Sequence, residues 1–70
     1  MADVELNEAE EGILDVLAEG RNTPSNIARR LDYSREYISQ RLRRLRENGL
    51  VVRVDRGLYG LPEYEDNPDS

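Results

Sequence analysis

The order of two hydrophobic periods along the chain constrains its fold most. Three segments carry apolar residues at helical spacing, and the segment after them alternates with the period of two that is typical of strands. Helices are predicted at about 8–19, 24–31 and 35–48, and strands at 50–54 and 58–61. An isolated hairpin is marginal in water and must pack on the helices. The sequence therefore predicts an α+β fold, a three-helix bundle followed by a two-stranded hairpin.

Each predicted helix begins at a residue that can cap it. Asn7 stands three residues before Glu10, as in a capping box, and Thr23 and Ser34 offer hydroxyl caps to the second and third helices. Asn48-Gly49 is a stop signal for the third helix. The apolar stripes expected to be buried are Ile13, Leu14, Leu17 and Ala18 in the first helix, Ile27, Ala28 and Leu31 in the second, and Ile38, Leu42 and Leu45 in the third.

The length of 70 residues allows one domain with a compact core. We expect a flexible N-terminus at 1–6, the folded domain at 7–61 and an acidic, disordered tail at 62–70. The tail contains Pro68 and has little apolar surface to bury.

Charge is distributed unevenly along the chain, which has a net charge of −5. Residues 1–19 carry −7, residues 20–61 carry +6 and residues 62–70 carry −4, and all ten basic residues are arginine. The basic middle indicates an arginine-rich face for a polyanion. The acidic excess without lysine is typical of proteins that work in concentrated salt, where repulsion between charges is screened. We therefore expect a halophilic protein; the alternative is that lysine is absent from this short chain by chance.

Several function classes are excluded by residues that the sequence lacks. Cysteine and histidine are absent, and no nucleophile–base pair, glycine-rich phosphate loop or metal-spaced cluster occurs. We therefore expect no enzymatic activity, no catalytic or metal site and no cofactor. The longest apolar run, Leu50-Val51-Val52, is far too short to cross a membrane, so a cytoplasmic protein without a membrane partner is expected.

The third helix carries the densest positive charge. On a helical wheel that starts at Ile38, the outward side holds Glu36, Tyr37, Gln40, Arg43 and Arg44, and Arg35 and Arg41 flank the buried stripe. An α-helix fits the major groove of DNA, where arginine pairs with guanine and glutamine with adenine. The alternative is an ordinary solvated helix surface, on which Arg43 pairs with Glu47 four residues on.

The order of short motifs resembles a known family. Ile-Ala occurs in the second helix, Ser-x-x-x-Ile-Ser-x-x-Leu-x-x-Leu in the third, and Asn-Gly-Leu-Val before the hairpin, within 23–31, 33–45 and 47–51. Over residues 8–61 the chain resembles winged helix-turn-helix transcription regulators of the MarR/ArsR-like superfamily. Within that superfamily it is most similar to small haloarchaeal proteins that resemble a phage repressor.

The resemblance implies a DNA-binding transcriptional regulator of the winged-helix fold. Helix 34–48 would enter the major groove, and the hairpin at 50–61 would act as the wing. The residues that would meet base edges are Arg35, Glu36, Tyr37, Gln40 and Arg41. Phosphate contacts would come from Ser25, Ser34 and Arg44, and the wing would contribute Arg53 and Arg56.

Alternatives to these roles follow from the residues themselves. Ser25 and Ser34 can have a structural role alone, in the cap or first turn of their helices. Arg56 can be a charge in a loop without a partner, and Tyr37 can cover the edge of the core. We expect Tyr59 and Leu61 to be core residues. These two are not expected to touch DNA.

Double-stranded DNA is the partner that the resemblance implies. Many members of the family carry a dimerisation helix after the wing, whereas here an acidic tail follows, so a homodimer would use an interface that the sequence does not identify. The alternative function is a winged-helix protein–protein interaction module in a larger complex, which the acidic ends favour.

Overall fold

The computed structural model of the protein describes residues 5–65 and contains three helices followed by an antiparallel hairpin. The elements in chain order are α1 at Glu8–Ala18, α2 at Pro24–Leu31, α3 at Arg35–Glu47, β1 at Val52–Asp55, β2 at Leu58–Gly60 and a 3-10 turn at Pro62–Tyr64. The predicted winged α+β architecture is confirmed. None of the helices within the described residues is long and apolar enough to span a membrane.

The predicted caps are present at all three helix starts. The Asn7 side chain accepts from the Glu10 backbone N–H at 2.7 Å, and the Glu10 carboxylate accepts from the Asn7 N–H at 3.0 Å, which completes a capping box. Thr23 and Ser34 each cap their helix with a single hydrogen bond, accepted from the backbone N–H of Asn26 at 3.2 Å and of Tyr37 at 3.1 Å. Between these two helices, Asp32 adopts a left-handed conformation with φ of 65°, so the turn is tight.

The hydrophobic core lies between the three helices and the base of the hairpin. Its buried members are Ile13, Val16, Leu17, Ile27, Ala28, Ile38, Leu42, Leu45, Val51 and Leu61. The prediction for Ala18 is wrong, since its side chain is exposed and Val16 is buried instead. On the wheel, Val16 lies about 60° from the fully buried Ile13 and Ala18 about 140°. The buried stripe of α1 is therefore centred on Ile13.

The hairpin packs its base on the helices and projects its turn. Val52 pairs with Gly60 and Arg53 with Tyr59, and the chain reverses at Gly57, which adopts φ of 68°. Two backbone hydrogen bonds of 2.9 Å join Asn22 and Tyr59, so the second strand is also tied to the loop before α2. β1 begins at Val52, later than predicted, and Val51 before it is buried in the core, where it is 1% exposed.

Both predicted flexible ends are partly ordered. The disordered tail predicted at 62–70 is wrong for residues 62–65, because Leu61 enters the core and holds the chain that follows against the domain. Glu65 then forms an ion pair with Arg21 at 2.7 Å. Leu6 packs against the core, although it belongs to the segment expected to be flexible. The rest of these predictions concerns residues 1–4 and 66–70, which lie outside the described residues.

Candidate nucleic-acid interface

One side of α3 is turned to solvent along its whole length. We call it the exposed arc, and its members are Arg35, Glu36, Ser39, Gln40, Arg43, Arg46 and Glu47. On the wheel these residues lie between about 60° and 200° from Ile38; the buried Leu42, at about 40°, borders the arc and the buried Leu45, at about 340°, lies on the far side. The arc combines three guanidinium groups with an amide, a hydroxyl and two carboxylates, so it offers several hydrogen-bond donors and acceptors to a partner.

The predicted base-reading residues Arg35, Glu36 and Gln40 belong to the exposed arc. Three other arginines of α3 form ion pairs within the described residues: Arg41, Arg43 and Arg44. Arg43 pairs with Glu47 at 3.6 Å, as the solvated-surface interpretation expected, but their side chains are 82% and 66% exposed. An exposed pair of this kind contributes little free energy, so it leaves Arg43 available to a polyanion.

Arg44 is held against α1, and its predicted outward orientation is wrong. Its Nη1 donates to both carboxylate oxygens of Glu10, at 2.8 and 2.9 Å, and its Nη2 donates to the Glu5 carbonyl at 3.3 Å. Arg41 Nη1 reaches the same carboxylate at 3.4 Å. The wheel could not show this, because the start of α1 covers that flank of α3 and supplies a buried acceptor.

Glu10 is a buried carboxylate, with 1% of its side chain exposed. Burial raises the pKa of Glu10, but hydrogen bonds from the Asn7 backbone and from Arg44, together with the charges of Arg44 and Arg41, outweigh burial and hold the pKa below its ordinary value. Glu10 is therefore ionised at neutral pH. One carboxylate then faces two guanidinium groups.

Tyr37 lies at the edge of the core, which is the alternative role that the sequence suggested for it. Its hydroxyl accepts from Asn7 Nδ2 at 3.1 Å, and its ring is half-buried. The ring of Tyr33 approaches with centroids 5.3 Å apart, and the Arg41 guanidinium lies 5.5 Å from the Tyr37 centroid. Tyr37 and Arg41 thus contact the domain itself.

The remaining predicted residues lie on either side of α3. Ser25 is exposed in the first turn of α2, and Ser34 caps α3 by accepting from the Tyr37 backbone at 3.1 Å. Arg53 and Arg56 are exposed on the hairpin. In the part of the chain that the structure describes, no group of three acidic side chains is placed to hold a metal ion.

The hairpin residues Tyr59 and Leu61 were expected in the core. Leu61 is buried, and Tyr59 is half-buried and packs on the core, as predicted. Neither belongs to the exposed arc.

Sequence reasoning missed Ser39 and Arg46 in the exposed arc and Glu10 behind it. The wheel gave a signal for all three. Ser39 and Arg46 lie at about 100° and 80° from Ile38, beyond the buried Leu42 at about 40°. Glu10 shares one face of α1 with Ile13 and Leu17, at i, i+3 and i+7, and therefore occupies a core position as well as a capping one.

Comparison with protein families gives a match over nearly the whole chain. A family described as winged helix-turn-helix phage repressor matches residues 4–67. No match was found among the curated proteins.

Solved structures of similar fold include regulators of the MarR family. Wild-type ZitR of Lactococcus lactis superposes with a TM-score of 0.79 and 33% sequence identity, covering 91% of this chain and 46% of ZitR. A structure of wild-type ZitR in complex with DNA gives 0.74 and 30%, covering 90% and 47%. The adhesin competence repressor AdcR of Streptococcus pyogenes gives 0.74 and 26%, covering 86% and 49%. The chain thus spans about half the length of these proteins.

Proposed function

Because the chain belongs to the winged helix-turn-helix phage repressor family, we propose that it is a transcriptional regulator that binds double-stranded DNA through α3. The proposal assigns α3 to the major groove and the hairpin, as a wing, to the neighbouring backbone or minor groove. It assigns the chain no catalytic activity.

The exposed arc of α3 is the observation that supports this proposal most. The helix presents a polar, cationic side to solvent while its apolar side is fixed in the core by Ile38, Leu42 and Leu45. A helix held in this way can enter the groove as a rigid body. Arg35 can donate two hydrogen bonds to guanine, Gln40 can pair with adenine, and Glu36 can accept from the amino group of cytosine.

Phosphate contacts are assigned to groups that surround the exposed arc. Arg43 and Arg46 lie on the arc, Ser25 and Ser34 lie at helix starts where backbone N–H groups favour an anion, and Arg53 and Arg56 lie on the hairpin. These groups would orient the domain on the duplex, and the residues on the arc would read its sequence. The similar ZitR has been solved in complex with DNA, which supports DNA as the partner.

The dependence of binding on salt tests the proposal. Fluorescence anisotropy with a random-sequence 30-bp duplex across a KCl series should give log affinity that falls linearly with log salt. Arg43→Ala should make the slope shallower by about one, because one phosphate contact is lost. Arg30→Ala is the matched control. Arg30 lies in the last turn of α2, at the other end of that helix from Ser25, and pairs with Glu19, so this variant should leave the slope unchanged.

Two results would contradict the proposal. One is the absence of binding at low salt. The other is affinity that does not respond to salt. Either result, combined with recovery of a specific protein partner, would favour the protein-interaction module instead.

Sequence preference is tested by selection from a random duplex library. The wild type should enrich a short motif, and Gln40→Ala should relax one position of it, at a cost of about 1–3 kcal/mol for the preferred base. If the motif enriched by Gln40→Ala is the same as that of the wild type, Gln40 does not read a base.

The homodimer and the high-salt setting expected from the sequence stay predictions. Sedimentation of the protein with and without DNA, in dilute and in molar KCl, tests both. A dimer that forms only on DNA would place the interface between two adjacent half-sites.

A further inference from the structure

We propose that Glu10 is a positioning residue of the DNA-binding surface, which withholds Arg44 and Arg41 from phosphates and leaves the exposed arc to meet DNA. This inference rests on the proposed function. It concerns a carboxylate on α1 that touches no nucleic acid itself and acts through two arginines of α3.

The contacts around Glu10 hold Arg44 at three points. Both carboxylate oxygens accept from its Nη1, and the Glu5 carbonyl accepts from its Nη2. Charge-assisted hydrogen bonds to a carboxylate that is 1% exposed are among the stronger polar contacts in a protein. Release of Arg44 would leave the buried Glu10 carboxylate with one neutral hydrogen bond, from the Asn7 backbone N–H at 3.0 Å, and the longer contact to Arg41 at 3.4 Å, so the bound arrangement is favoured.

Arg41 is held by the same carboxylate and by an aromatic ring. Its guanidinium lies over Tyr37, and among the described residues its buried Nε has no hydrogen-bond partner. A buried N–H without a partner costs free energy. Arg41 keeps this position because the Glu10 carboxylate and the Tyr37 ring attract its guanidinium.

The neighbouring Arg43 shows what an arginine of α3 does without such a carboxylate. Arg43 and Arg44 are adjacent on one helix and have identical side chains, yet they are 82% and 39% exposed. The difference lies in their neighbours. Arg43 meets the exposed Glu47, whereas Arg44 meets the buried Glu10. With Glu10 neutral, Arg44 would lose its ionic partner on α1 and its guanidinium could turn to solvent, where a phosphate beside α3 would attract it.

Withholding these arginines favours sequence-dependent binding. Each arginine that contacts a phosphate strengthens binding to every sequence and steepens the salt dependence by about 0.9. Contacts of this kind carry no sequence information. Pairing these two partly exposed arginines with Glu10 therefore lowers affinity for random DNA, while the base-reading residues of the exposed arc stay available.

Substitution of Glu10 by glutamine tests the inference on the random 30-bp duplex. Glu10→Gln should steepen the slope of log affinity against log KCl by about one to two, as one or both arginines become available. Adding Arg44→Ala to Glu10→Gln should make the slope shallower again by about one. Arg44→Ala alone should leave the wild-type slope unchanged, whereas the matched Arg43→Ala should make it shallower by about one.

The steeper slope separates positioning from a purely structural role. A variant that only loosens the fold would bind all duplexes more weakly, without a steeper slope. Each variant is checked by circular dichroism at the assay temperature. If Glu10→Gln does not fold, Glu10→Met removes the charge while filling the site, and Arg44→Ala provides an independent test.

An unchanged slope for folded Glu10→Gln, or a slope shallower by about one for Arg44→Ala alone, would overturn the inference. Failure of the proposed function looks different. In that case the wild type itself would lack salt-dependent binding and Arg43→Ala would have no effect.

Discussion

Two adjacent arginines on α3 should differ strongly in what they contribute to folding. Arg44→Ala leaves the buried Glu10 with its capping hydrogen bond from the Asn7 N–H at 3.0 Å and with one longer ionic contact, from Arg41 at 3.4 Å. Breaking a fully buried pair costs about 3–5 kcal/mol. Because Arg44 is 39% exposed and Arg41 remains, we expect a cost of about 2 kcal/mol for this variant. Arg43→Ala removes only an exposed pair, for which about 0.5 kcal/mol or less is expected.

Urea denaturation followed by circular dichroism at 222 nm measures both costs. A domain of this size has a total stability of only about 3–10 kcal/mol, so the Arg44 variant should lose a large fraction of it. With a slope near 1 kcal/mol per molar urea, its midpoint should fall by about 2 M, and that of Arg43→Ala by about 0.5 M or less. Equal midpoints for the two variants would refute the assignment of Arg44 to a buried contact.

Further predictions concern Glu10, a helix cap and the hairpin turn. Because the pKa of Glu10 is lowered in the folded state, the ionised carboxylate stabilises the fold fully above its ordinary pKa, and this stabilisation is lost as the pH falls through the lowered value. Below about pH 4.5 the stability of the wild type should therefore fall more steeply than that of Glu10→Gln. Urea midpoints measured across a pH series test this. Asn7→Ala should cost about 1 kcal/mol in the same assay, since it removes the cap of α1. Gly57→Ala should cost about 1–2 kcal/mol through backbone strain alone, because its Cβ would meet no other atom, and a cost near zero would contradict the observed turn.

Much of the fold could be predicted because local signals agreed with one another. The caps at Asn7, Thr23 and Ser34 and the stop at Gly49 act within a few residues, so the helix bounds follow from sequence to within about one residue. The change of period after α3 identified the hairpin in the same way.

The errors concern contacts between segments that are distant in sequence. Glu65 and Arg44 were predicted from their local sequence, whereas the structure holds them by contacts with distant residues, Glu65 by Arg21 and Arg44 by the buried Glu10. A wheel gives the angle of a side chain but cannot show which neighbouring element covers a flank. The predicted outward side of α3 therefore included Tyr37 and Arg44, which contact the domain, and omitted Ser39 and Arg46, which are exposed. The contact between Glu10 and Arg44 was not predicted.

The central claim is that the exposed arc of α3 enters duplex DNA, and amide chemical shifts test it residue by residue. Titration of the labelled protein with the random-sequence 30-bp duplex in low salt should shift the amide signals of α3 between Arg35 and Arg46 and those of the hairpin near Arg56, and should leave the outer face of α1 around Glu11 and Asp15 unchanged. Shifts confined to α1, with α3 unaffected while the duplex is bound, would contradict the account.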